Sequence, residues 1–430
     1  MSPVLIGLLG LAALLAVILL NVPIAAAMAA VGVLGTLFLD AQASVFSLFG
    51  TATVQALSSQ ELIVIPLFIL MGGFAIIAGL SKEIYRLSHA WIGHFRGGLA
   101  LTTVGTSAIF GAICGSSVAT TATMVQVALP EMRKRGYSNA LIAGSIAGGG
   151  TLGSLIPPSV IMVVYAILTQ QSVLDLFRAA IIPSIMAVLL YFVAIRLVLL
   201  RNPQDGEALP RSTWGERARA TGQARLTLMV AGVMLGGIYS GIFTVNEGAA
   251  IGVLMVLVTC LVRRRLTREN FIQTLIRAAS NIGMIYLILI GAEIYKSFLT
   301  LSGLPAATVD WVGGLDLPPL LIVSVVILLY ILLGCLFDAM AAMILTMPFV
   351  FPLVVGQLGY DPVWWGIMNV MIIEIGMITP PVGINIFVLH GMRPDLKLRQ
   401  IYAGLTPFVL IDVLRIVIFL LFPGLMLALV

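Results

Sequence analysis

Two pairs of adjacent prolines, Pro157–Pro158 and Pro380–Pro381, fall inside apolar runs where a membrane helix is the default. Proline has no N–H and cannot donate to the carbonyl four residues back. The carbonyls left bare belong to Gly153, Ser154, Gly376 and Met377. Ile156 and Thr379, which precede the pairs, are pushed out of the α region. In hydrocarbon an unserved carbonyl costs several kcal/mol unless protein, water or an ion satisfies it. Such oxygens suit a hard cation such as Na⁺, Thr379 adds a hydroxyl, and unwound carbonyls coordinate Na⁺ in broken-helix transporters. A kinked helix healed by neighbouring side chains is the plainer alternative.

A second set of oxygen-bearing residues lies in "GAICGSSVATTAT" (111–123), and a matching glycine and carboxylate lie in "GCLFDAMAAM" (334–343). Half-helices starting near Ser116–Ser117 and near Asp338 would aim their N-termini at anions. Ser116, Ser117, Thr120, Thr121 and Asp338 are therefore candidate substrate contacts. The ordinary role of Ser and Thr in membrane helices is to join helices. Charges inside apolar runs also need partners. Glu293 with Lys296 and Asp412 with Arg415 have the i,i+3 spacing of internal ion pairs, whereas Glu374 has no local partner. Glu61 and Glu247 stand at helix starts, where a carboxylate favours the dipole.

These residues recur in a pattern. "GYSNALIAGSIAGGGTLGSLIPP" (136–158) and "GYDPVWWGIMNVMIIEIGMITPP" (359–381) share Gly-Tyr, a glycine five residues before the last proline, and Pro-Pro, at an offset of 359 − 136 = 223. The same offset carries Gly111 onto Gly334. Internal repeats with interrupted helices in matching places mark secondary transporters. The stretches before each Gly-Tyr, Gly98–Pro130 and Leu317–Pro352, are too long for one crossing. Their Gly, Ser and Asp centres suggest hairpins that enter and leave on one face.

Loop charge orients the copies. "PEMRKRGY" precedes the first Gly-Tyr with three basic residues and "LVVGQLGY" precedes the second with none. By the positive-inside rule the first loop is cytoplasmic and the second external, so the copies are inverted. "RPDLKLR" (393–399), "RRRLTR" (263–268) and the polar linker within 196–225, which has six arginines, fall inside as well, and "TQQSVLD" (169–175) falls outside. Both termini are then expected outside.

The 430 residues are 60% hydrophobic and 10% charged, against about 25% charged in soluble domains. This is a polytopic membrane protein. Roughly ten to twelve apolar segments are near spanning length. The net charge of +5 sits between them and reads as topology, not as nucleic-acid binding. "MSPVLIGLLG" lacks a basic n-region, so Leu5–Leu20 is expected as a retained helix. Cys114, Cys260 and Cys335 have no zinc or disulfide spacing, and His89, His94 and His390 form no HExxH. His89 and His94 flank Trp91 in a stretch expected to be an interfacial helix. A GxxxxGK[ST] loop and a GxSxG elbow are absent, so energy for transport must come from an ion gradient or a partner.

"GAICGSSVATTATM", "PEMRKRGYS", "GGGTLGSLIPPS", "GCLFDAMAAMILTMPFVFP" and "GMITPPVGINIFV" together resemble the large membrane subunit of TRAP (tripartite ATP-independent periplasmic) transporters, over nearly the whole chain. The resemblance implies an all-α, inverted-repeat, elevator-type transporter of the bacterial inner membrane, with two re-entrant hairpins and two broken Pro-Pro helices. It implies Na⁺ as coupling ion, a separate small transmembrane subunit, a periplasmic substrate-binding protein, and an organic acid such as a C4-dicarboxylate or sialic acid as substrate. It implies a first Na⁺ site at Gly111, Cys114, Gly153, Ile156 and Pro158, and a second at Gly334, Gly376, Thr379 and Val382, mostly through carbonyls. Here Cys114-Gly115-Ser116 stands where the family often has Ser-Gly-Ser, and a thiol is a poor ligand for Na⁺. The expected organisation is scaffold and first arm over 1–97, first transport repeat over 98–178, scaffold, linker (about 201–225) and second arm over 179–316, second transport repeat over 317–392, and a C-terminal helix over 393–430. A stand-alone Na⁺/carboxylate symporter of related fold and, from another class, a membrane enzyme are the competing readings.

Overall fold

The computed structural model describes residues 1–39, 42–206 and 208–430, with 42–47 described by backbone alone; Glu207 of the polar linker lies outside the described residues. Its regular structure is helical, and the described residues contain no strand. Eight helices among them are long and apolar enough to span a bilayer. Further apolar helices such as Pro3–Leu19 and Gly98–Cys114 are shorter, because breaks divide the longer hydrophobic runs.

The first half comprises α1 (Pro3–Leu19), α2 (Ile24–Phe38), α3 (Gln42–Ser58), α4 (Val64–Ala78), α5 (Leu80–Ile92), α6 (Gly98–Cys114) and α7 (Ser117–Lys134). It continues with α8 (Asn139–Ala143), a π turn at Gly144–Gly148, α9 (Gly149–Leu155), α10 (Val160–Thr169), α11 (Val173–Ala179) and α12 (Ile181–Arg201). The short α13 (Trp214–Gln223) lies in the linker. The second half comprises α14 (Arg225–Tyr239), α15 (Val245–Val262), α16 (Arg268–Ser302), α17 (Leu304–Gly313), α18 (Pro319–Leu336) and α19 (Ala339–Phe351). After a π turn at Pro352–Gln357 come α20 (Pro362–Gly376), α21 (Ile384–Met392), α22 (Leu398–Leu421) and α23 (Pro423–Leu427).

The order repeats at the offset seen in the sequence. Gly98 + 223 = 321 falls in the first turn of α18, and Val160 + 223 = 383 falls one residue before α21. Caps set the starts. Ser116 accepts from Ala119 N at 3.4 Å to begin α7, and Asp338 accepts from Met340 N at 3.2 Å to begin α19. Thr244 with Glu247 forms a capping box on α15, worth about 1 kcal/mol for such a cap.

Packing crosses between the halves. α15 lies along α4 while α2 lies along α16, and α10 meets α19 while α21 meets α7. The two Pro-Pro helices run in opposite directions. Near the start of α8, Asn139 Nδ2 donates to Gln400 Oε1 at 3.2 Å, and Arg133 pairs with Asp395 just beyond α21. At the other end, the Tyr165 hydroxyl of α10 donates to the carbonyl of Pro362, where α20 begins, at 2.6 Å. Each broken helix therefore starts where the other ends.

Burial separates a core from a greasy outer wall. Every residue of α9, and every residue of α20 after Pro362, is buried. Ile185, Leu189, Val193 and Leu197 on α12, and Val325, Leu328 and Leu332 on α18, are exposed. Such broad exposed apolar surface fits hydrocarbon as solvent. The expected ion pairs form: Arg415 Nη2 lies 2.8 Å from Asp412 Oδ1 in full burial, and Lys296 Nζ lies 3.6 Å from Glu293.

Candidate ion and substrate site

α6 ends at Cys114. Gly115 turns the chain with φ +65°, a conformation that favours glycine, and Ser116 is extended before α7. This tip presses on the first Pro-Pro break. A Cβ on Gly111 would lie 2.7 Å from Gly153 Cα, and one on Gly153 would lie 2.6 Å from the Ser116 carbonyl oxygen. Only glycines allow backbone to meet backbone this closely. Val160 N donates to the Gly115 carbonyl at 3.4 Å, and Ser117 N donates to Ser154 Oγ at 2.9 Å. Gly111, Gly115, Gly153 and Pro158 are thus brought together; Ile156 caps α9 in extended form. Cys114 is buried, with its sulfur against Gly72 of α4. Among the described residues, no backbone N–H donates to the carbonyl of Gly153 or Ser154.

The second break repeats the geometry and differs in its bonding. A Cβ on Gly376 would lie 2.6 Å from Gly334 Cα. Here the bare carbonyls expected from the prolines are served. Thr379 N donates to Gly376 O at 3.1 Å, and Asn385 N donates to Met377 O at 3.2 Å. A tight turn just before the prolines brings Thr379 N back to Gly376, the chain after them folds back so that Asn385 N reaches Met377, and each carbonyl keeps one further lone pair. The Thr379 hydroxyl donates to Ile375 O at 2.6 Å, which leaves its oxygen free to accept. Gly383 N donates to Cys335 O at 3.1 Å and ties the break to the end of α18. Val382 between them is half-buried. The Asp338 carboxylate turns back to cap its own helix.

Between the breaks lies a polar cluster built from both halves. Asn385 Nδ2 donates to Ser117 Oγ at 2.7 Å, joining α21 to α7. Glu374 lies beside Ser117 and Ser154, and neither of its carboxylate oxygens has a hydrogen-bond partner. The hydroxyls of Thr120 and Thr121, packed on Gly153 and Gly150, are buried without partners. Ser117, Thr120 and Thr121 thus adjoin one another, whereas Asn385 and the Ser154 side chain were not singled out by sequence reasoning. The available signal was a polar residue two places after Gly383 in an apolar helix. Unpartnered buried oxygens beside glycine cradles that any Cβ would fill are a fit environment for a small hard cation.

A helical membrane protein of two like halves, with hairpin tips facing broken helices at its centre, has the architecture of a membrane transporter. The chain belongs to the family described as "Tripartite ATP-independent periplasmic transporter, DctM component", which matches residues 11–425. It is 34% identical over 369 residues to the C4-dicarboxylate TRAP transporter large permease protein DctM of Pseudomonas aeruginosa, covering 86% of each chain. It is 27% identical to the sialic acid TRAP transporter large permease protein SiaM of Vibrio cholerae, covering 80% of each. Against the isethionate TRAP transporter permease protein DctMQ of Oleidesulfovibrio alaskensis it is 31% identical, covering 91% of this chain and 61% of that one. The crystal structure of the Alcanivorax borkumensis YdaH transporter has a TM-score of 0.58 at 17% identity, covering 89% of this chain and 88% of that one, a likeness of fold alone. The protein is a multi-pass TRAP large permease, a transporter and not an enzyme.

Proposed function

We propose that this chain imports an organic acid across the bacterial inner membrane, coupled to Na⁺, by an elevator movement of the two hairpin–break units against the remaining helices. The substrate class is a carboxylate of the kind named for its relatives, C4-dicarboxylates or sialic acid. A separate small transmembrane subunit and a periplasmic substrate-binding protein complete the system. The basic ends gathered near Arg133, Arg263 and Arg393 face the cytoplasm by the positive-inside rule. That orientation makes the two hairpins re-entrant from opposite sides and leaves both termini periplasmic.

The observation that carries the reading is the paired glycine cradle, Gly111 on Gly153 and Gly334 on Gly376, each beside a proline break. Gly111, Cys114, Gly153, Ile156 and Pro158 would hold one Na⁺ through carbonyls, and Gly334, Gly376, Thr379 and Val382 a second. Bound there, the cation supplies positive charge that offsets the buried Glu374 and an incoming carboxylate. The chain's own part is to hold the oxygens in place: the prolines deny them helical donors, and the glycines let the tips close on them. Ser116, Ser117, Thr120 and Thr121 offer hydroxyls and helix N–H groups to the substrate, and Asp338 fixes the second tip.

The test is uptake into proteoliposomes containing this chain, with the small subunit and binding protein supplied. The expected result is uptake driven by a Na⁺ gradient without ATP. Full uptake with K⁺ replacing Na⁺ would refute Na⁺ coupling, and saturable uptake by this chain alone would favour the stand-alone symporter.

A further inference from the structure

We infer that a basic cavity between α5 and α7, remote from both proline breaks, binds a phosphate group, as carried by an anionic lipid headgroup or by a soluble phosphate compound. The inference does not depend on the ion or substrate proposed above. Lys82, Tyr85, Arg86 and His89 follow one another at helical spacing along a single face of α5 and line the cavity. Arg135, which caps the end of α7, closes it from the other side. The volume is about 480 Å³, within the range of small-ligand sites.

Its charge is unbalanced. Lys82, Arg86 and Arg135 are exposed, and none forms an ion pair among the described residues. Glu131 is the one carboxylate among the lining residues. The Tyr85 side chain is 7% exposed, and its hydroxyl, with Thr103 beside it, closes no hydrogen bond. A buried hydroxyl without a partner is a donor awaiting an acceptor. The setting favours a lipid. α5 is amphipathic, with Leu80, Ile84 and Ser88 buried while Lys82 and Arg86 face outward. Trp91 near its end is exposed and under the Arg217 guanidinium. Basic pockets beside membrane helices on the positively charged side are a recurrent seat for anionic headgroups. A phosphate here would touch α5 and α7 at once and so tie the arm to the first hairpin.

The experiment uses the purified full chain in detergent. Retention of phosphatidylglycerol is read by native mass spectrometry, and melting is read with and without millimolar inorganic phosphate. The variants are K82Q/R86Q/R135Q, the milder Y85F, and a charge-matched control, R211Q/R219Q/R264Q, at exposed sites elsewhere. Losing three cations should lower lipid retention by roughly a hundredfold, and losing the hydroxyl by about fivefold, with the control like wild type. Retention lost in the triple variant, with melting indifferent to phosphate, identifies a lipid. Melting raised by phosphate in wild type alone, with equal lipid retention, identifies a soluble phosphate compound. Equal lipid retention and equal phosphate response in wild type and triple variant, or equal loss in the control, overturns the inference.

Discussion

Pro157 and Pro158 are buried, whereas Pro380 and Pro381, 223 positions later, are exposed. Both breaks carry the same glycine cradle, yet the carbonyls of Gly153 and Ser154 take no backbone donor while those of Gly376 and Met377 each take one. The contrast extends into the helices. Thr151 of α9 lies 2.9 Å from the Tyr191 hydroxyl, which donates to Asp412 at 2.6 Å. The position matching Thr151 is 151 + 223 = 374, where Glu374 is buried and unpartnered. One template has thus produced a first break anchored to its surroundings and a second that holds a lone carboxylate and opens at the surface. Proline and glycine fix where each break falls. The neighbouring helices decide how its oxygens are served.

The largest expected effect tests the anchor. Asp412→Asn leaves Arg415 buried and without its counter-charge, and loss of one partner of a buried pair costs about 3–5 kcal/mol. Thermal unfolding in detergent should show that drop. Glu374→Gln, which replaces a buried carboxyl group that has no ionic partner by a neutral amide of the same shape, should leave stability unchanged or higher. Equal losses in the two variants would erase the contrast between the halves.

Next in size are the cradles. Gly153→Ala and Gly376→Ala each force a methyl against backbone, an overpacking worth about 1–3 kcal/mol. Both should lose Na⁺-dependent uptake, while Gly236→Ala on α14, whose added Cβ meets open space, keeps it. Uptake retained by either cradle variant would show that close approach of tip and break is dispensable there.

Smaller again is the hydroxyl. Thr379→Val removes one oxygen from the second site, at about 1–3 kcal/mol for a lost polar partner, so apparent Na⁺ affinity should fall roughly five- to 150-fold. Ile156→Val keeps its carbonyl and should match wild type. A change within about twofold for Thr379→Val, below the ~1 kcal/mol of a lost partner, would leave the second site to backbone oxygens.

The smallest effect concerns the contact that joins the ends of the two halves. Hydrogen bonds from Arg393 and from Arg133 hold the Asp395 carboxyl well below the usual carboxylate range. A depressed value contributes stability above the unfolded-state pKa, and that contribution fades as pH falls through the folded-state value. Asp395 is exposed, so salt should screen the contribution. Asp395→Asn should lower melting slightly at neutral pH and low salt, and the difference should vanish in strong acid. A difference that grows in acid would contradict the pairing.

What was legible in the sequence was what is local. A proline pair denies donors wherever it occurs, so the breaks could be read from Pro157–Pro158 and Pro380–Pro381. Ser116 and Asp338 announced the starts of α7 and α19 because a cap acts within three residues. The 223-residue offset carried the order of elements. The bond from Asn385 to Ser117 spans 268 positions and that from Tyr191 to Asp412 spans 221, and no local pattern encodes either. The donor that reaches Met377, Asn385 N, was also hidden, since it depends on how the chain folds after Pro381. The stretch around His89, Trp91 and His94 was read as an interfacial helix alone, because Arg135 joins the basic residues of α5 only through packing.

The central claim, two opposed copies of one unit across a membrane, is tested most directly by accessibility in oriented membranes. The native cysteines, Cys114, Cys260 and Cys335, are all buried, so single cysteines at the exposed positions Lys134 and Gln357 can be labelled with a membrane-impermeant reagent. The account predicts labelling of Lys134→Cys from the cytoplasmic side only and of Gln357→Cys from the periplasmic side only. Labelling of both from the same side would contradict it.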